Sequence, residues 1–149
     1  MTASVAIKTL ILRSFKTSVQ TVADLKTVTM NPGRGLREEA DKPYCNLFSM
    51  PESAKKTDLY REGDFDIEVH TWAKEDTDEL LDEKLHDLIA KVQVAVLPRG
   101  SAARQYVITL EETGKAFDTL FYGDGLGVGI STYHVKYRHV YGNPFQLNP

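Results

Sequence analysis

The residues best placed for chemistry form two rows of charged side chains, each at every second position of a long alternating segment. The acidic row lies between Arg61 and Ala73 and consists of Asp64, Asp66 and Glu68. The basic row lies between Gly129 and Pro144 and consists of His134, Lys136 and Arg138. Alternation with period two is typical of a half-buried strand, so each row is expected on one exposed strand face. Three carboxylates in such a row can bind a divalent cation, but they more often form a solvated surface.

The glycine-rich segment GDGLGVG, residues 123–129, superficially resembles a phosphate-binding loop. A dinucleotide loop follows a strand and opens a helix, so that backbone amides and the helix dipole meet the phosphate. This segment instead precedes residues rich in β-branched and aromatic side chains. We therefore predict a turn that leads into a strand, and no cofactor-binding residues.

The histidines and the single cysteine lack the spacing of a metal or nucleophile site. His70, His86, His134 and His139 include no helical pair at i and i+4, and none lies near Cys45 in sequence. His134 and His139 differ by five positions, which places them on opposite faces of a strand. No serine lies in a G-x-S-x-G elbow. We predict no metal ligands, no catalytic residues and no enzymatic activity.

Composition indicates one folded domain. The chain has 149 residues, 42% of them hydrophobic, and a formal charge of −3, which argues against nonspecific nucleic-acid binding. One cysteine excludes a disulfide within the chain and fits a reducing site of synthesis. The apolar segment Val5 to Phe15 is interrupted by Lys8 and Arg13, so no membrane span is predicted. We expect a single domain, residues 1–149, with extended loops at about 31–42 and 52–60 and a tail at 142–149.

Hydrophobic periodicity places two helices and several strands along the chain. The helices are expected from Val5 to Val19, capped by Thr2 or Ser4, and from Asp76 to about Val94, with Leu80 in its apolar stripe. Strands are expected at Val22–Met30, Tyr44–Met50, Arg61–Ala73, Gln105–Glu111 and Gly129–Pro144, with irregular β structure between residues 112 and 129. The predicted class is α+β, with two main helices packed on one face of a mixed, mainly antiparallel sheet.

Chain topology predicts how the two charged rows are arranged. A strand–helix–strand unit makes the Gln105 strand parallel to the Arg61 strand, and a gap between them admits the terminal strand antiparallel to both. The acidic and basic rows would then lie opposite each other. Two alternatives stay open: solvated faces that never meet, and pairing of the rows between subunits.

Several segments together resemble a known family. They are an amphipathic helix (AIKTLILRSF), an extended loop, a Pro-initiated strand (KPYCNLFSM), a long strand running into an acidic-capped helix (FDIEVHTWAKEDTDELLDEKLHDLI), and the terminal YHVKYRHVYGNP. In size, element order and terminal motif, the chain resembles the tail-terminator proteins of long-tailed bacteriophages, the minor tail protein U-like group.

The resemblance implies a virion structural protein that is made in the host cytoplasm and assembles into a hexameric ring. In that family the ring caps the tail tube, ends its polymerisation, contacts head-completion or neck proteins, and lets DNA pass through its lumen. The charged rows are candidate lumen or intersubunit residues. The loop from Asn31, the 52–60 connection and the tail beyond Tyr141 are candidate contact segments. Their candidate contact residues are Arg34, Arg37, Lys55, Lys56, Phe145 and Leu147.

Two other functions remain open from the sequence. One is another neck protein, for head closure or tail completion. The other is a small-ligand-binding or enzymatic α+β domain that uses the glycine-rich loop as a lid, which predicts a deep pocket with converging polar groups.

Overall fold

Two strands of 15 residues each form the centre of the fold. A computed structural model describes residues 5–31, 43–57, 59–118 and 125–147 of the chain, and only the backbone of residues 115–118. The helices are α1 (Ile7–Gln20) and α2 (Asp78–Val96), with a short 3-10 turn at Ala102–Arg104. The strands are β1 (Thr27–Met30), β2 (Tyr44–Ser49), β3 (Ser53–Lys56), β4 (Tyr60–Lys74), β5 (Thr109–Asp118), β6 (Leu126–Val140) and β7 (Asn143–Leu147).

The sheet is mixed and mainly antiparallel. Its strand order is β1-β2-β4-β6-β5, with β3 added beside β4 and β7 added beside β6. Among the described strands, β1 and β2 are parallel neighbours and each of the other neighbouring pairs is antiparallel. Strand β6 lies between β4 and β5 and is antiparallel to both, so β4 and β5 run in the same direction. The predicted α+β class and this central arrangement are confirmed.

Both α-helices cover the same face of the sheet. Helix α1 buries Ile7, Ile11, Phe15 and Val19 against inward residues of β4 and β6, such as Phe65 and Tyr133. The Phe15 and Tyr133 rings meet edge to face with centroids 5.4 Å apart. We call the sheet face away from the helices the open face.

Helix α2 begins at Asp78 and ends at Val96, two residues later at each end than predicted. The side chain of Thr77 accepts a hydrogen bond from the Leu80 amide, and Asp78 and Glu79 occupy the first turn. The predicted burial of Leu80 is wrong, because its side chain is 47% exposed. Successive residues of a helix are rotated by about 100° around its axis. Leu80, one residue before the buried Leu81, therefore lies outside the buried stripe, on the side of the helix opposite Ile89. The buried stripe instead follows Leu81, Leu85, Leu88, Ile89, Val92 and Val96.

Several predicted boundaries differ from the structure. Strand β1 is shorter than the predicted strand Val22–Met30. Strand β5 begins at Thr109, later than the predicted Gln105, and follows the 3-10 turn at residues 102–104. The segment after Glu112 continues as β5 through a bulge between Glu112 and Gly114. Residues 53–56 and 143–147, predicted as connection and tail, form strands β3 and β7. Thr2, Ser4 and residues 32–42 lie outside the described residues. Within the described ranges, the helices are too short or too polar to cross a bilayer.

Candidate interaction surface

The two charged rows lie side by side on the open face. Lys136 is in register with Asp64, His134 with Asp66, and Arg138 with Glu62. Glu68 departs from the prediction, since it lies opposite Thr132 and contacts His70 of its own strand at 3.0 Å. We call these paired residues of β4 and β6 the charged ladder.

Ion pairs connect the ladder directly and diagonally. His134 Nδ1 lies 2.7 Å from the Asp66 carboxylate, and its Nε2 lies close to the Asp64 carboxylate. Glu62 contacts both Lys136, at 3.5 Å, and Arg138, at 3.2 Å. Burial opposes ionisation of Glu62, but the bond from Arg138 and the charges of Lys136 and Arg138 outweigh it, so the pKa of Glu62 is lowered.

The ladder contributes more to register than to stability. Exposed cross-strand pairs contribute roughly 0.2–1 kcal/mol each, and solvent screening keeps these pairs at the low end. A slip of one residue would turn every charge of one strand towards the helices and every apolar residue outward. The observed register of β4 and β6 pairs the acidic and basic rows within one chain. A position beside a ring lumen stays a prediction.

Beyond the ladder, the open face becomes aromatic. The Tyr44 ring stacks on Trp72 with centroids 6.0 Å apart, and the Phe48 ring lies 4.6 Å from the His70 ring. Trp72 is the only tryptophan of the chain, so it reports on this part of the sheet.

The connection after β2 and the C-terminal segment converge at one end of the sheet. The Tyr141 amide donates to the Leu59 carbonyl over 3.4 Å, and Lys56 Nζ lies 4.6 Å from the centre of the Tyr141 ring. Leu59, Tyr141 and Phe145 are 76%, 50% and 42% exposed. Leu59 and Tyr141 are neighbours at this end, and Phe145 lies on β7, the strand that follows Tyr141; we call these three exposed side chains the sheet-end patch. It adjoins β3, whose four residues, including Lys55 and Lys56, are all exposed.

Strand β7 holds the C-terminal side of this patch in place. Gly142, with φ of +77°, makes the turn after β6, and the Asn143 side chain accepts a hydrogen bond from the Phe145 amide at 3.1 Å. Leu147 pairs with His139 and packs against the core. Residues 143–147, expected as part of a tail, therefore form a paired strand. Insertion of Phe145 into a neighbour stays a prediction.

A partly buried clamp joins the start of β3 to β6. The Tyr137 hydroxyl donates to the Glu52 carboxylate at 2.8 Å, just before β3, and Lys8 of α1 lies 3.9 Å from the same oxygen. Burial and the bond to Glu52 raise the pKa of Tyr137. The ring lies directly over Gly63, where an added Cβ would come within 2.3 Å of Tyr137 Cε1. Glycine is thus required at position 63 for this approach.

A groove opens on the helix side, between the end of α1 and the second half of α2. Its volume is about 610 Å³, and it is lined by Thr21, Val22, Ala23, Asp24, Ala90, Lys91, Val94 and Ala95. Val94 is 73% exposed. Lys91 forms ion pairs with Asp24 and, at 2.9 Å, with Asp87, and the bond to Asp24 followed by that to Asp87 raises the pKa of Lys91 to about 12. We call this surface the helix groove.

The groups examined for other chemistry occupy structural positions. Among the described residues no three His, Cys, Asp or Glu side chains are grouped to hold a metal ion. Cys45 is fully buried, and burial raises the pKa of its thiol to about 12 against the opposing effect of its bond with Thr71. Of the glycine-rich segment, Gly127 packs against Leu81, and β6 begins at Leu126, three residues before the predicted Gly129, so residues 126–128 are strand and not turn.

Sequence reasoning missed three features of this surface. Glu62 belongs to the ladder, and its position two residues before Asp64 could have revealed it. Gly63, inside an otherwise regular strand, was a signal for a close approach such as that of Tyr137. The helix groove left no signal, because its residues come from segments distant in sequence. The candidate contact residues Arg34 and Arg37 lie outside the described residues.

Comparison with known proteins supplied no relative: a scan against protein-family models found no match, and a search of curated proteins found none.

Proposed function

We propose that this chain is a virion structural protein that caps the tail tube of a long-tailed phage as a ring of subunits and joins the tail to the neck. The observation that carries the proposal is the sheet-end patch. Two segments expected from the sequence to make contacts, some 80 residues apart, meet there and expose three large apolar side chains. The family resemblance supplies the identity of the assembly.

The exposure of the patch favours an association function. A backbone hydrogen bond joins Tyr141 to Leu59, and Phe145 lies in strand β7, although water gains access to much of the surface of all three side chains. Contiguous exposed apolar side chains beside charged residues are typical of protein–protein contact sites. A subunit that assembles by shape needs such preformed surfaces and no reaction centre.

The charged ladder suits a surface beside passing DNA. It carries four carboxylates, counting Glu68, against Lys136, Arg138 and the histidine His134. Its cations are already engaged by carboxylates, which leaves little positive charge to bind phosphates. A lumen lined in this way would let DNA pass without adhesion.

Electron microscopy of tail tubes tests the proposal. Purified tubes of the tail-tube protein encoded in the same genome are incubated with the chain, and their ends are averaged. The proposal predicts a ring of extra density, six-fold in projection, on one end of the tube only. Tubes with unaltered ends would contradict it, and density on isolated portal or neck complexes instead would indicate a different neck protein.

A further inference from the structure

We infer that strand β5 binds an extended, basic segment of another protein as an added strand of the sheet. The segment pairs with the outer edge of β5 and places a lysine or arginine opposite Glu111. A sheet edge accepts a strand through its backbone groups, and the side chains at alternate positions then select the sequence. Such a contact is independent of tube capping, because it requires only β5 and the strands beside it.

The outer edge of β5 is long. Strand β5 ends the strand order, has ten residues, and pairs with β6 alone among the described strands. The strand at the other end of the order, β1, has four residues. The bulge in β5 leaves pairing with β6 on both of its sides, along residues 109–112 and 114–118. An added strand of equal length would therefore find backbone partners along most of β5.

The other edge strands carry features that prevent strand addition. Strand β1 is short, β3 has Lys55 and Lys56 among its four exposed residues, and β7 contains Pro144. The described side chains of β5, those of residues 109–114, include neither proline nor lysine, but two glutamates. The bulge and the glutamates oppose pairing with an arbitrary strand, whereas a basic strand is still accepted.

Glu111 is the acidic end of a row that crosses three strands of the ladder. Asp66, His134 and Glu111 are in register on β4, β6 and β5. His134 directs Nδ1 to Asp66 at 2.7 Å. Lys136, the next residue on this face of β6, contacts Glu62 of β4 at 3.5 Å. These nitrogen groups of β6 are thus turned towards β4, while Glu111 is exposed on the other side, where a cation would continue the row.

An isoleucine adds an apolar contact at the start of the edge. The side chain of Ile108 is 43% exposed, and its amide donates to the Lys136 carbonyl over 2.8 Å, which holds it beside β6. A segment antiparallel to β5 would continue the alternation of strand directions in β4, β6 and β5. Such a segment reaches Glu111 before Ile108, so its basic residue comes first and an apolar residue follows a few positions later.

Charge and length favour another chain over a second copy. Strand β5 of a second copy would present Glu111 and Glu112 again, with no basic residue among its described side chains. Strand β3 offers Lys55 and Lys56, but its four residues would leave more than half of β5 without a partner. A basic extended segment as long as β5 meets both requirements.

Selection from a random peptide library tests the contact. Displayed segments slightly longer than β5 are selected on the immobilised chain, on Glu111→Lys, and on Glu83→Lys, a matched charge reversal at an exposed position of α2. We expect the retained segments to carry a lysine or arginine followed by apolar residues. They should bind Glu83→Lys as well as wild type and Glu111→Lys several-fold more weakly, whereas segments with glutamate at the basic position should gain affinity for Glu111→Lys.

Backbone pairing gives a second readout on a retained peptide. Its binding should shift NMR signals and slow amide exchange within residues 109–118. Of two copies that are N-methylated on alternate sets of residues, only the one whose donors face β5 should lose binding. Signals that shift elsewhere, retention that Glu111→Lys leaves unchanged, or the absence of retained segments would each overturn the inference. Self-association of the chain that Lys55→Glu abolishes would also overturn it, because β3 of a second copy would then be the occupant.

Discussion

Replacing Gly63 by alanine tests the clamp between Tyr137 and Glu52. The new Cβ would stand 2.3 Å from Tyr137 Cε1, 2.7 Å from Cζ and 2.9 Å from Glu52 Oε1. The ring cannot easily move aside. It is 4% exposed, meets Phe65 edge to face with centroids 6.0 Å apart, and is held through its hydroxyl by Glu52.

The expected loss of stability follows from these contacts. Overpacking of a filled site costs about 1–3 kcal/mol, and displacing the Tyr137 hydroxyl from a charged acceptor adds about 1.5–3 kcal/mol. Reduced entropy of the unfolded chain offsets about 0.4–1 kcal/mol. We expect Gly63→Ala to lower the free energy of unfolding by about 1.5–5.5 kcal/mol, which at roughly 2–4 °C per kcal/mol lowers the Tm by about 3–22 °C.

Denaturant and thermal unfolding followed by Trp72 fluorescence measure this loss. The matched control is Gly114→Ala in β5, where an added Cβ meets nothing within 4 Å, and its expected change is within about 0.5 kcal/mol. Combining Gly63→Ala with Tyr137→Ala should cost less than the sum of the two single changes, since the second removes the obstructing ring. Equal stability of the Gly63 and Gly114 variants would refute the clamp.

Three further predictions concern the ladder, the core and the α2 cap. The lowered pKa of Glu62 stabilises the folded state; this stabilisation is complete above the ordinary glutamate pKa and is lost as pH falls through the lowered value. Glu62→Gln should therefore be less stable than wild type at neutral pH, by under about 1 kcal/mol. In acid unfolding titrations this difference should shrink as the pH falls. Cys45 should react with a thiol reagent only as fast as the chain opens, as its burial and pKa of about 12 require; rapid labelling under native conditions would contradict this. Thr77→Ala should cost about 1 kcal/mol in chemical unfolding, because the Leu80 amide loses its cap, whereas Thr17→Ala on the exposed side of α1 should cost less.

The central strands were predictable because local pattern and topology point to the same arrangement. Alternation fixes which residues of β4 and β6 face the helices, and the strand–helix–strand unit leaves a gap that β6 fills. Charge complementarity then agrees with the register, as in the pairing of Asp66 with His134. These are consequences of chain geometry that a single sequence carries.

The edges of the sheet and both candidate surfaces were less accessible. Strand β3 is fully exposed and lysine-rich, and β7 contains Pro144, so neither has the alternation of a half-buried strand. Leu80 belonged to an apolar run, but its angle around α2 turns it outward. The Tyr137–Glu52 clamp joins residues 85 positions apart. Such contacts depend on the complete fold and leave little trace in local sequence.

The length distribution of tail tubes tests whether the chain caps them. The tail-tube protein is co-expressed with wild type or with a Tyr141→Asp, Phe145→Asp variant whose folding has been verified by Trp72 fluorescence. The account predicts that wild type gives short tubes with one capped end, and that the patch variant gives longer tubes with open ends. Tubes of the same length with wild type and without any added chain would contradict it.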